Sequence, residues 1–431
     1  MKKLVSFALA LIMVLALAGT ALAYSPEAPI KILFWHTRGS GANYEVLKNS
    51  VDTFNATIGK EKGIFVEEIF QGGYADIVPK LEMASQSGSM PAVGVTSGVR
   101  ASILLDDGLL ADMAPYAAKT GFDFSVFFES LLDVPGNENG QIRSLPYVRS
   151  TPVFYYNKTM ADAKGLKAPE TVAELEAFAK ALNTYDPATG DGCWGFELLN
   201  DTTYLQGSFL WQLGQPLVGE GGTAPCLEGS LLKLFTDWTR WIDEGWCRPF
   251  DSTGAQNTAT EMFCQGKLAC FVASCGSLSN IYKFSKEAGI ELGVSYYPTY
   301  DIDNRAVSIG GGNIILMAGN SEEVTSAGWE FIQFLMSDDM VAAEAIGSGY
   351  LPTTKTVENN EAMAKFWEEN PLFKVAYDQL AWGHCEETPM FLDRTEFKTN
   401  VSNVTSQLIQ ERNITPEQAI EQIKSISAHL F

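Results

Sequence analysis

The sequence predicts an α/β protein of about two domains, and three observations carry that expectation. Short apolar strands alternate with amphipathic helices along most of the chain. Polar connectors rich in Gly, Asn, Asp and Pro interrupt the alternation near 134–148 and 300–306. The length of 431 residues, 46% of them hydrophobic, suits about two domains.

The elements follow in order. Residues 1–23 read as an export signal: Lys2 and Lys3 are the positive start, Leu4 to Leu17 the apolar run, and Ala21-Leu22-Ala23 the cleavage site. That run is shorter than the ~20 residues of a membrane span, so cleavage is expected rather than anchoring. Ile30 to Trp35 is a strand, and Tyr44, Leu47, Val51 and Phe54 then recur at helical spacing. Ile64 to Phe70 is the next strand. Asp76 to Ser85 is read as helix, with Pro79 tolerable only in the first turn. After the connector at 134–148, STPVFYYNK (150–158) resumes as a strand. Thr171 and Glu174 form a capping box for the helix that follows. In 229–246, Trp238 and Trp241 stand three apart on a helix, a spacing that favours core packing over ligand stacking.

Farther on, VSIGGGNIILM (307–317) is read as a glycine loop feeding a strand at Ile314–Met317. Asn320 and Glu323 are a candidate capping box for the next helix. Two helical segments near 400–411 and 415–429 close the chain, the second started by Thr415-Pro416.

Charge and motifs exclude several functions. The net charge of −22 disfavours nucleic-acid and anionic-membrane binding. Three histidines (His36, His384, His429) and no C-x-x-C pair are thin material for a metal site, and no cofactor is indicated. Seven cysteines in an exported chain allow one or two disulfides, or buried free thiols. No nucleophile elbow, zinc-protease helix or Walker loop is present. The glycines at 310–312 precede a strand, whereas a dinucleotide loop precedes a helix, so a phosphate-cradling loop is not expected. A carboxylate-based secreted hydrolase stays open as an alternative.

Eight segments resemble, in the same order, the extracellular solute-binding proteins of ABC importers. They are FWH (34–36), GGYADIVPKLEMA (72–84), STPVFYYNK (150–158), APETVAEL (168–175), GKLACFVASCGSLSNI (266–281), GVSYYPT (293–299), IGGGNIILM (309–317) and SGYLPTTK (348–355). The likeness is greatest to the periplasmic members that bind glycerol-3-phosphate. It implies a type II periplasmic-binding-protein fold, lobe one at 28–146 plus 296–336 and lobe two at 150–292 plus 337–431. It also implies a monomeric, non-enzymatic periplasmic protein that passes a small solute to a membrane permease.

Ligand-binding positions carried over from the family are Tyr74, Ser150, Ser274, Gly311 and Tyr350. Tyr74 and Tyr350 taken singly read equally well as turn or core tyrosines. The family's phosphate-binding arginine falls near Lys398, with Arg394 four residues earlier; a lysine serves phosphate as a point charge rather than a fork. The family's cleft glutamate falls near Gly98, with no acid replacing it, and two pocket tryptophans fall near Leu199 and Thr202. Those departures leave glycerol-3-phosphate, a glycerophosphodiester, and a sugar or alditol all open as the solute.

Overall fold

The computed structural model describes residues 25, 28–199, 207–219, 223–250, 255–380, 385–386 and 392–431; side chains are not described for 99, 255–257, 385–386 and 392–395. The expected export signal lies outside these residues.

Two five-stranded sheets organise the chain. The first has the order β2-β1-β3-β11-β4, from β1 (Ile30–His36), β2 (Ile64–Phe70), β3 (Val93–Ser97), β4 (Ser144–Ser150) and β11 (Gly310–Leu316). β1 runs parallel to β2 and β3, and β11 runs antiparallel to both β3 and β4. The second has the order β7-β6-β8-β5-β9, from β5 (Pro152–Asn157), β6 (Trp194–Glu197), β7 (Cys247–Arg248), β8 (Leu268–Ser274) and β9 (Leu292–Ser295). The two-residue β10 (Val307–Ser308) pairs with β12 (Cys385–Glu386).

Helices that position the site are α1 (Gly41–Ala56), α2 (Tyr74–Ser87) and α3 (Gly98–Asp106) on the first sheet. α4 (Val172–Leu182), α5 (Ser230–Asp243) and α6 (Leu278–Glu287) flank the second. They are followed by α7 (Glu322–Leu335), α8 (Asp338–Ser348), α9 (Leu392–Ser406) and α10 (Pro416–Ser427). The periodic residues do what their spacing predicts. Leu47, Val51 and Phe54 of α1 are buried, and Phe54 and Phe34 meet Phe331 of α7 edge-on, with ring centroids 5.1 and 5.2 Å apart. Trp238 and Trp241 are fully buried in the core under the second sheet. α8 packs along α1, and α10 packs on α5.

Several local expectations shift. α2 begins at Tyr74, because the Asp76 carboxylate accepts the Gly73 N–H at 2.7 Å, so Pro79 falls in the second turn. Its missing N–H is tolerated on an exposed face. The cap of α7 is Ser321, which accepts the Val324 N–H, while Asn320 instead donates to the Pro91 carbonyl. The three glycines are not a loop: Gly310, Gly311 and Gly312 are the first residues of β11 and pair with Ser150, Arg149 and Val148 of β4, while 144–146, expected as connector, pairs with Asn313 to Ile315 farther along. Thr171–Glu174 and Thr415–Gln418 form capping boxes.

Between the sheets the chain passes through one hydrogen-bonded knot. Thr151, the residue joining β4 to β5, donates its hydroxyl to the Ser308 carbonyl at 3.2 Å. Its own carbonyl accepts the Cys275 N–H at 3.0 Å. The buried Gln379 amide donates to Thr151 Oγ1 and to the Pro152 carbonyl, and accepts the Tyr297 N–H at 2.8 Å. The Leu351 N–H donates to the Arg149 carbonyl at 2.8 Å, adding the segment that follows α8. All three passages between the sheets are thus bonded to one another.

Candidate functional site

The strands of an open α/β sheet point their carboxyl ends at a crevice, and helix N-termini gather there. Here β1 ends at His36, β3 runs into α3 at Gly98, and α2 starts at Tyr74. Five candidates, Tyr74, Ser150, Gly311, Ser274 and Tyr350, lie beside these ends and the knot. The Tyr74 hydroxyl occupies the space a Cβ on Gly312 would need, 2.7 Å away. Ser150 is buried and pairs with Gly310 across the β4–β11 ladder. Gly311 has φ +94°, and a Cβ there would stand 2.0 Å from the Val148 carbonyl oxygen, so only glycine lets the two strands approach.

From the second sheet, Ser274 ends β8 and its Oγ accepts the Gly276 N–H at 3.2 Å, which frees the hydroxyl proton to be donated elsewhere. The Tyr350 ring lies so close to Gly276 that a Cβ there would be 2.7 Å from it. A hydrogen bond from the Asn43 amide on α1 to the Gly276 carbonyl, 3.3 Å, spans from one lobe to the other.

Sequence reasoning did not single out the residue at the centre. Arg38, in the turn after β1, donates two hydrogen bonds to the Glu344 carboxylate on α8, at 2.9 and 3.0 Å, and a third to the Asn43 carbonyl at 2.9 Å. Its guanidinium carbon sits 5.5 Å from the Tyr147 ring and 5.4 Å from the Tyr350 ring. Burial raises the Tyr74 phenol above its ordinary value, opposed by the nearby Arg38 charge and a hydrogen bond with Thr37. Phenols held protonated in this way remain donors. Arg38 follows FWHT at the carboxyl end of a strand, which is the one signal that could have found it. Glu344 supplies a buried acid beside the cluster, while no acid stands at Gly98.

His36 lies behind this group. Its Nε2 is 2.6 Å from Glu68, whose other oxygen accepts the Tyr44 hydroxyl. Burial pulls the imidazole below its ordinary value although Glu68 opposes it, so desolvation decides the sign and the ring is neutral near pH 7.

The remaining candidates stand on other elements or are undescribed. Lys398 is half-buried on α9, whose extensive contacts are with α10 and the C-terminal turns. The Arg394 side chain and Thr202 lie outside the described residues. Leu199 is buried in the core of the second lobe. Cys193, Cys226, Cys247, Cys264, Cys270 and Cys275 are free thiols, five of them buried. Among the described residues no group of three or more His, Cys, Asp or Glu could hold a metal ion.

Residues 49–375 match the family model of bacterial extracellular solute-binding proteins. The sn-glycerol-3-phosphate-binding periplasmic protein UgpB of Rhizobium meliloti (strain 1021) is 26% identical over 365 residues, covering 81% of each chain. Its counterpart from Escherichia coli O1:K1 / APEC is 27% identical, over 84% of this chain and 83% of its own. Among solved structures, UgpB from Mycobacterium tuberculosis in complex with glycerophosphocholine has a TM-score of 0.78 at 21% identity, over 94% of this chain and 98% of its own. The maltodextrin-binding domain MalE from Bdellovibrio bacteriovorus bound to maltotriose has a TM-score of 0.74 at 16% identity, over 93% and 99%. At those identities the two structures speak for the fold.

Proposed function

Because the chain belongs to the bacterial extracellular solute-binding proteins and has their type II periplasmic-binding-protein fold, we propose that it captures a small hydroxylated solute, glycerol-3-phosphate or a glycerophosphodiester, between its lobes. Proteins of this family deliver solutes to the membrane subunits of ABC importers outside the cytoplasm and are not enzymes. Binding is the whole task. A ligand that contacts both lobes favours the closed state by its differential affinity, with no catalytic group needed.

One observation carries the reading: Tyr74, Ser150, Gly311, Ser274 and Tyr350, far apart in sequence, converge where both sheets end. We assign these five as ligand contacts, with hydroxyl and amide donors for oxygens and tyrosine rings to cover the carbon skeleton. Lys398 and Arg394 are assigned to the phosphate. The protein acts as a monomer in the periplasm after removal of residues 1–23, with no nucleic-acid partner, which its acidic surface supports. A sugar or alditol is the second reading, supported by a described cluster rich in neutral hydroxyls and by the likeness to maltodextrin-binding folds.

Calorimetric titration with glycerol-3-phosphate, glycerophosphocholine, maltotriose and sorbitol tests the proposal. Binding of either phosphate compound supports it, and a bound ligand raises the thermal midpoint as its concentration exceeds Kd. Response to the neutral compounds alone replaces the solute class. Turnover of a glycoside or phosphodiester with no stoichiometric binding sinks the proposal altogether.

A further inference from the structure

The junction of β4 and β11 builds a polar subsite that the five assigned contacts leave out. Along this ladder Gly312 faces Val148 and the next residue, Asn313, faces Pro146, so Tyr147 is the extra residue of a bulge. A bulge re-aims the side chain it carries and recurs beside functional sites. Tyr147 is 5% exposed, and among the described residues its hydroxyl has no hydrogen-bond partner. A buried hydroxyl without a partner is costly, so its retention calls for one.

Over the Tyr147 ring lies the Arg38 guanidinium, its carbon 5.5 Å from the ring centroid. Of the five guanidinium N–H groups, two bond Glu344 and one bonds the Asn43 carbonyl, leaving two without a partner among the described residues. The guanidinium is fixed by its carboxylate fork and by the Tyr147 and Tyr350 rings, so those two donors are held in place before any ligand arrives. Burial raises the Tyr147 phenol, which keeps its proton available. The Arg38 charge is already matched by Glu344 in a bidentate pair. A phosphate set beside them would meet the carboxylate at close range, whereas an uncharged oxygen would not.

We propose that Tyr147 and Arg38 form a donor subsite for an uncharged solute oxygen, a hydroxyl or ether oxygen of a polyol or sugar moiety. The phosphate of a phosphorylated solute then lies away from this end. The subsite rests on the solute-binding reading, and one experiment separates the two.

Wild type and Tyr147→Phe are titrated with glycerophosphocholine, glycerol-3-phosphate and maltotriose, and their thermal midpoints are compared without ligand. Tyr147→Phe removes only an unpartnered hydroxyl, so its unliganded midpoint should equal or exceed that of wild type. Its Kd for whichever probe the wild type binds should rise roughly tenfold, the effect of one lost hydrogen bond. Arg38→Lys, which keeps the charge but not the fork, should weaken the same probe at least as much. An unchanged Kd in Tyr147→Phe overturns the subsite and means that the hydroxyl holds a water. Wild type that binds none of the probes overturns the solute reading itself, and the subsite with it.

Discussion

Gly311→Ala tests how tightly the candidate site is built. The new Cβ would sit 2.0 Å from the Val148 carbonyl oxygen, against an ordinary C···O separation of about 3.3 Å. The contact is backbone, so β4 and β11 must part by about 1.3 Å, the difference between those distances. The φ of +94° adds a steric cost of roughly 1–2 kcal/mol for an L-residue. Losing one or two ladder hydrogen bonds, at about 1 kcal/mol each, brings the total to roughly 2–4 kcal/mol. At an m-value of about 3 kcal/mol/M, the urea midpoint should fall by about 1 M. Gly88→Ala is the control: it also has positive φ, +69°, but nothing lies within 4 Å of its Cβ position. It should cost only the conformational part. Equal midpoints for the two variants would refute the close approach of the strands, and with it the account of why glycine stands at 311.

Other perturbations report on separate parts of the molecule. Arg38→Met strands the buried Glu344 carboxylate and should cost about 3–5 kcal/mol by urea unfolding, while Arg38→Met with Glu344→Leu should recover most of it. Glu244 is held down to about 2 by hydrogen bonds from Lys180, Trp246 and Arg240, within the network joining α4 to α5. Its contribution is therefore present above the unfolded value near 4.5 and fades as pH falls towards 2, so Glu244→Gln should flatten the stability–pH curve in that window. Cys264, the one half-exposed thiol of the six described, should be alkylated ahead of the other five in the native protein. Labelling of the buried five ahead of it would contradict the packing; burial also lifts Cys193 to about 11 and Cys275 to about 12, which suppresses their thiolates.

Helices and strands were legible in the sequence wherever the signal is local. The stripe Leu47, Val51, Phe54, the box at Thr171 and the Thr415-Pro416 start need only a few neighbouring residues to act. What depends on a distant partner was not legible. Residues 144–148 look like a connector until β11 pairs with them, and three glycines look like a loop until β4 demands close approach. The site divides in the same way. Resemblance supplied five positions that the fold gathers, but no spacing links Arg38 to Glu344 across 306 residues. The bulge that turns Tyr147 is a property of two strands together and leaves no mark in either alone.

The knot at Thr151 has a mechanical meaning. Its hydroxyl grips the Ser308 carbonyl while Gln379 clasps both Thr151 and Pro152. One crossing therefore cannot bend unless the other bends with it. Closure of the lobes, the motion the proposed capture of a solute calls for, would therefore have to bend both crossings together.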